Sequence, residues 1–200
     1  MKPPYERLAA DMRAAIARCR SPLADPFLAA WPQAQAPIRR AAAALPVLSR
    51  LPQLLDHTGA ATADLTQLVV ENGDALDWRQ TYGAGDFGSA FLSRYGWTEI
   101  IGQRGAFASD SIAAGFLMLG PGIEYPFHSH DAEEIYIPLA GTALWAAGPQ
   151  GWRARPPGDL IHHPSRVPHA MRTAAAPLLA LYVWRAGNLT QKSVIEAPQA

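Results

Sequence analysis

Two rhythms of apolar residues divide this chain. In 4–20, Leu8, Met12, Ile16 and Cys19 recur at intervals of four, four and three, which puts them on one helical face. Arg7, Asp11, Arg13 and Arg18 supply the polar cover. The stretch 21–52 is rich in Ala and Pro, and each proline opens or ends a short segment because it lacks the amide proton and clashes with the preceding turn. Segments 38–45, 48–57 and 63–71 read as short helices. Helices this short do not bury themselves, so they are expected to pack outside whatever follows. From about Phe91 the rhythm changes to short apolar or alternating runs bounded by Gly, Pro or Asp. They fall at 98–102, 112–119, 134–139, 142–147, 152–155, 160–163, 170–173 and 178–184, the grammar of an antiparallel sandwich or barrel. The change lies near 85–97. It gives a helical region over 1–90, a barrel over 91–190 and a tail over 191–200, all within one domain.

Composition narrows the class. A chain of 200 residues with 49% hydrophobic and 17% charged residues is a packed globule. Lys+Arg and Asp+Glu are both 17, so no basic footprint points to nucleic acid. No apolar run approaches the ~20 residues that span a bilayer, and the first residues lack the features of a secretory signal. One cysteine, Cys19, excludes an internal disulfide and fits a reducing, cytoplasmic setting; its apolar position reads as a small buried hydrophobe.

The candidate chemistry is concentrated in PGIEYPFHSHDAEEIYIPLAG, residues 121–141. His128 and His130 are two apart, so on an extended strand they point to one side. Glu134 and Tyr136 can converge on the same point from the next strand, and His169 lies beyond a further hairpin. Three neutral imidazoles and a carboxylate suit a divalent first-row metal with positions left open. Glu133 has the opposite parity and is expected to face outward. His162 and His163 read as packed or solvent-facing imidazoles, and His57 as a helix-end residue. Tyr125 has the opposite parity to His128 on a regular strand, but Pro126 makes regularity doubtful, so parity leaves its side undecided. In the last strand Leu178, Ala180, Tyr182 and Trp184 share one face.

Gly122, His128, His130, Glu134 and Gly141 stand at the spacing of the first motif of the cupin superfamily. The second motif is matched by Gly158, Pro164 and His169, with Arg166 in place of its second glycine and Thr173 in place of its asparagine. The resemblance implies a single cupin, an antiparallel double-stranded β-helix or jelly-roll barrel, mainly β, with the helical region packed outside. The order of a helical half followed by YPFHSHDAEEIYIPLAG also resembles the cupin-type dimethylsulfoniopropionate lyases, the DddQ branch in particular. That likeness implies His128, His130, Glu134 and His169 as ligands of one divalent metal ion, Fe2+ or Zn2+ first, with Mn2+, Ni2+ or Co2+ as others. It implies a carbon–sulfur lyase that cleaves a small zwitterion, dimethylsulfoniopropionate, to dimethyl sulfide and acrylate.

Such a β-elimination needs charge stabilisation at the substrate carboxylate and a base near the α-carbon. Tyr136, beside a cation, is a credible base, and the family likeness implies Tyr125 as a second acid–base or metal-proximal group. The leaving group departs neutral and needs no acid. Its cationic precursor suits aromatic faces, for which Trp184, Tyr182, Phe127 and Trp145 are candidates. No nucleic-acid or membrane partner is expected, and the chain is read as a monomer or homodimer. Two alternatives stay open: a cupin Fe(II) dioxygenase, and a non-enzymatic cupin sensor of small acids. Prolines interrupting the N-terminal helices argue against a DNA-binding unit in the latter.

Overall fold

The structure is a computed structural model that describes residues 3–196. Its strands are β1 (Trp78–Arg79), β2 (Tyr95–Ile101), β3 (Ile112–Leu119), β4 (Glu124–Ser129), β5 (Glu133–Ala140) and β6 (Ala143–Ala147). After these come β7 (Gln150–Arg155), β8 (Ile161–His163), β9 (His169–Arg172), β10 (Leu178–Arg185) and β11 (Val194–Ile195). One sheet has the order β1-β2-β3-β10-β5-β8 and the other β11-β4-β9-β6-β7. Every paired strand is antiparallel, and the two sheets enclose a common interior as a cupin jelly-roll barrel.

Period-two patterning gives the larger sheet two different faces. Ile135, Ile137 and Leu139 of β5, Leu179, Leu181 and Val183 of β10, and Phe116 and Met118 of β3 face outward into an apolar layer. That layer is covered by α1 (Tyr5–Arg18), α2 (Asp25–Ala29), a 3-10 helix (Pro46–His57) and α3 (Ala63–Asn72). Leu8, Met12 and Ile16 of α1 are fully buried there, which is the face the heptad-like spacing marks. The alternate residues, Tyr136, Tyr182 and Ala180 among them, line the barrel interior. β3 and β10 lie mid-sheet, covered on both faces, and therefore read as nearly continuous apolar runs.

The helical layer is also hydrogen-bonded to β5. Because β8 is short, it pairs β5 only at Glu134, Ile135 and Tyr136. Further along, the Thr62 and Thr66 hydroxyls donate to the Leu139 carbonyl at 2.6 and 3.3 Å, and the Gly158 amide donates to the Pro138 carbonyl at 2.9 Å. The strand that carries Glu134 and Tyr136 is thus fixed by the N-terminal region and by the turn between β7 and β8.

Three expectations need revision. Residues 38–45 are not helical: Ala43 forms a parallel bridge with Asp77, and the Ile38 amide donates to the Ala106 carbonyl at 2.7 Å. An eight-residue segment between Pro37 and Pro46 is too short to hold a helix by propensity, and the extended strap satisfies its backbone against the barrel. The segment over 46–57 is a 3-10 helix with Pro52 inside it. The larger sheet also begins before the expected change of rhythm, since β1 pairs with β2 at Trp78–Thr98 and Arg79–Trp97; α4 (Ser89–Leu92) lies between them. Among the described residues, no helix is long and apolar enough to cross a membrane.

Gly115 marks the tightest approach of β2 to β3. A Cβ built there lies 1.8 Å from the Thr98 carbonyl oxygen, a backbone atom that cannot turn aside. Gly115→Ala is expected to destabilise the protein by about 2–3 kcal/mol and lower Tm by about 5–10 °C. Thermal denaturation followed by circular dichroism checks this, and an unchanged Tm would show that the two strands do not meet as described.

Candidate metal centre

His128 and His169 face each other across the β4–β9 pairing, and Glu134 projects inward from β5 in the opposite sheet. All four residues of the expected ligand set are buried, Glu134 completely. Ligating atoms of His130, Glu134 and His169 lie within 4.8 Å of one another. His128 stands beside this trio, its ring centroid 4.2 Å from that of His169 and 6.3 Å from that of His130.

The backbone sets the tautomer of each ring. Nδ1 of His128 lies 2.8 Å from the Pro126 carbonyl oxygen, Nδ1 of His130 lies 2.9 Å from that of Ala132, and Nδ1 of His169 lies 3.0 Å from that of Val167. A carbonyl only accepts, so each Nδ1 carries the proton and each Nε2 presents a lone pair. Two of those lone pairs meet the same carboxylate oxygen, Glu134 Oε2, at 2.9 Å from His130 and 3.2 Å from His169. Lone pairs facing a carboxylate oxygen in a buried site require a cation between them. That cation is either a second proton on His130 or a metal ion, and the donor set fits a divalent first-row metal.

The electrostatics agree. Burial opposes the charged form of His130, but the Glu134 charge outweighs it and holds the imidazole above its usual range. Burial likewise works to raise the Glu134 carboxyl, and the charge and hydrogen bonds of His130, with those of His169, hold it far below the usual carboxylate range. His128, deep in the barrel and next to His169, is pushed well down by burial first and His169 second. The remaining Glu134 oxygen, Oε1, accepts the Trp184 indole N–H at 2.6 Å, and the Trp184 ring lies 4.1 Å from that of His130.

A register shift in β4 decides the side of Tyr125. Tyr125 is opposite Met171 and His128 opposite His169, so three steps on β4 match two on β9. The extra residue inverts parity, as a β-bulge does. Tyr125 therefore turns inward and stacks on His128 at 4.0 Å with 6° between planes, while its hydroxyl meets that of Tyr82 at 3.0 Å. Phe127 moves the other way. It lies edge-on to Trp152 and is not among the residues that wall the cavity, so its expected place in the pocket is corrected by the bulge.

Tyr125, Glu134, Tyr136, Tyr182 and Trp184 open on one cavity of about 660 Å3. Trp145 is inside the barrel against Tyr136, at 5.0 Å, without lining that cavity. Burial raises the hydroxyls of Tyr125 and Tyr136 well above the usual tyrosine range, with neighbouring Tyr95 adding to it for Tyr125 and the Glu134 charge for Tyr136.

Both departures from the second cupin motif are absorbed locally. Arg166 adopts the left-handed φ of +63° that favours glycine, its amide donates to the His130 carbonyl at 2.8 Å, and its guanidinium pairs with Asp131 at 2.7 Å. Thr173 donates to the Gly120 carbonyl at 2.8 Å and accepts the Ile123 amide at 3.1 Å, which pins the turn into β4. Glu133 faces away from the centre and pairs with His162 at 2.7 Å and with Arg185.

His163 was not marked by motif spacing, yet it is buried and stacks on His169 at 4.0 Å with 9° between planes. Neither of its ring nitrogens has a hydrogen-bond partner. The signal available was strand parity, since Ile161 and His163 alternate onto the inner face opposite Tyr136 and Glu134. Glu99, an acidic residue on the inward parity of an apolar strand, was missed for want of the same reading.

Comparison with known proteins agrees with this geometry. The family described as dimethylsulfoniopropionate lyase matches residues 23–180. Dimethylsulfoniopropionate lyase DddQ of Ruegeria pomeroyi is 37% identical over 98% of this chain and 96% of its own length. The crystal structure of DMSP lyase DddQ from Ruegeria pomeroyi DSS-3 superposes with a TM-score of 0.84 at 34% identity, covering 100% of both chains. A chain from the crystal structures of the DMSP lyases RdDddP and RnDddQII gives a TM-score of 0.83 at 29% identity, covering 96% of this chain and 100% of that one. With the family match over residues 23–180 and a 37% identical relative along nearly the whole chain, this chain belongs to the dimethylsulfoniopropionate lyase family.

Proposed function

We propose that the protein cleaves dimethylsulfoniopropionate to dimethyl sulfide and acrylate by base-promoted β-elimination. The observation that carries the reading is that Tyr136, Tyr125 and Glu134, from two different strands, open on one cavity inside a barrel of this family. A divalent ion held by His130, Glu134 and His169, with His128 beside them, would supply Lewis acidity for the substrate carboxylate and positive charge that loosens a neighbouring tyrosine proton. Fe2+ and Zn2+ suit this donor set first, and Mn2+, Ni2+ and Co2+ are further candidates.

Tyr136, as the phenolate left when its own proton has gone to solvent, takes the proton from the α-carbon. The electrons of that C–H bond form the C=C bond, and the C–S bond breaks with its pair going to sulfur. Dimethyl sulfide leaves neutral, acrylate keeps the carboxylate, and one proton is released to solvent per turnover. Trp184, held by its N–H to Glu134, lines the cavity, and Tyr182 stands beside Tyr136 across the β10–β5 pairing; these rings suit the sulfonium end. Tyr125, fixed between His128 and Tyr82, is the second hydroxyl of the site and the nearer one to a hydrogen-bonded partner. The buried walls keep water from the carbanionic α-carbon.

Three outcomes are expected. Purified protein loaded with Fe2+ or Zn2+ and given dimethylsulfoniopropionate releases dimethyl sulfide, read by headspace gas chromatography; no gas from metal-replete protein would remove the reading. Tyr136→Phe lowers kcat by at least ~10²-fold and leaves the bound metal, measured by plasma emission, unchanged; retained turnover would exclude Tyr136 as the base. Chelation abolishes activity and lowers Tm by several degrees, since an ion that binds only the folded chain stabilises it, and adding metal back restores both.

A further inference from the structure

The cavity is far larger than its catalytic corner, and its wall carries a second buried carboxylate. Glu99 on β2 is 6% exposed and lines the same cavity as Glu134 and Tyr136. Strand register places it with respect to the proposed base. Glu99 is opposite Gly115 of β3, Gly115 opposite Tyr182 of β10, and Tyr182 opposite Tyr136 of β5. Residues in such a cross-strand row project from one face of the sheet. With strands about 4.8 Å apart, the backbones of Glu99 and Tyr136 are separated by about 14 Å, and position 115 between them carries no side chain. The row therefore has a carboxylate at one end and a base at the other, with Tyr182 between them on the cavity wall, while β2 packs down over Gly115.

The two Glu99 oxygens have different surroundings. Oε1 accepts the Arg104 backbone amide at 2.6 Å, which ties the turn after β2. Oε2 is 3.8 Å from the Arg104 guanidinium, too far for a hydrogen bond. That guanidinium is drawn elsewhere: it donates to the Thr190 carbonyl at 2.8 Å and lies over the Trp97 ring at 5.6 Å. Oε2 thus meets the Arg104 charge at a distance and not through a hydrogen bond, which leaves it able to face a second cation in the cavity. A sulfonium has no N–H or O–H to give and satisfies such an oxygen by charge alone.

We infer that Glu99 is the counter-charge for the cationic end of the substrate, so that a β-sulfonio carboxylate lies in the shared cavity between Tyr136 and Glu99 with its carboxylate at the Glu134 end. This rests on the lyase reading given above and extends it from the reacting carbon to the leaving group. Positive charge disappears from sulfur as the C–S bond breaks. Glu99 therefore favours the bound ground state over the transition state, and its contribution falls on affinity and not on the chemical step.

The test compares two ligands of one shape, differing in charge. Dimethylsulfoniopropionate and 4-methylpentanoate, in which a neutral CH group replaces the sulfonium, are titrated calorimetrically into metal-loaded wild type and Glu99→Gln, the zwitterion into proteins that also carry Tyr136→Phe. Gln keeps an acceptor for the Arg104 amide, so the turn is retained. Glu99→Gln is expected to weaken the zwitterion at least ~10-fold and to leave 4-methylpentanoate within about twofold; KM rises in parallel and kcat does not fall. Equal weakening of both ligands, weakening of neither, or a loss confined to kcat overturns the assignment. Should Glu99→Gln not fold, Arg104→Gln, at a half-exposed position, removes the competing cation and is expected to tighten the zwitterion several-fold; unchanged or weaker binding overturns it. Gas release by the wild type reports on the lyase reading separately, so a silent wild type and an indifferent Glu99→Gln variant are distinguishable failures.

Discussion

A carboxylate with no solvent exposure is the constraint from which this interior follows. Glu134 cannot stay ionised in the barrel without donors and positive charge around it, because the cost of desolvating an isolated carboxylate is several kcal/mol. The chain supplies one N–H, from Trp184, and two imidazole nitrogens against the other oxygen. The imidazoles cannot reorient to escape, since each has its Nδ1 proton committed to a backbone carbonyl two residues away. The protein thus orders the ligand lone pairs before any cation arrives, and the energy of folding is what holds them there.

That energy comes largely from the opposite face of the same strands. Ile135, Ile137 and Leu139 bury themselves under the N-terminal helices, and period two leaves Glu134, Tyr136 and Pro138 for the interior. A slip of one residue in β5 would exchange the two sets, which would place apolar side chains at the centre and a carboxylate under the helices. The outer layer is therefore part of the site's specification. Thr62 and Thr66 extend the same control by capping the end of β5 that β8 does not reach.

Much of this was legible from residues alone, and the failures have physical causes. The spacing of His128, His130, Glu134 and His169 foretells that they gather inside the barrel, because a two-residue period and a fixed hairpin leave few ways to place them elsewhere. The inner face of β10 follows from parity, since that strand is long and regular. Residues alone leave the side of Tyr125 undecided and put Phe127 in the pocket, because the bulge that exchanges their sides depends on pairing with β9, some 45 residues away in the chain. Segment 38–45 misled because alanines favour a helix in isolation, whereas here the backbone finds partners in the 77 and 106 regions. His163 and Glu99 belong to no motif. Only the register of two sheets shows that they face the interior, and register is a property of the assembled barrel.

The cavity wall carries charges of both signs, Glu99 and Glu134 on one side of the balance and Arg79, Arg104 and Lys192 on the other. The chain has no net charge, and a zwitterion has no monopole for a distant field to attract, so recognition has to come from short-range pairs at fixed separation. A full, unopposed carboxylate at the sulfonium end would hold the substrate well and resist its reaction, since it stabilises a charge that must vanish. Arg104 lies 3.8 Å from Glu99, close enough to temper that charge and too far to neutralise it through a hydrogen bond. Its tethers to Thr190 and Trp97 keep it at that distance. The separation of this one ion pair sets how tightly the cation is held, and hence where binding gives way to elimination.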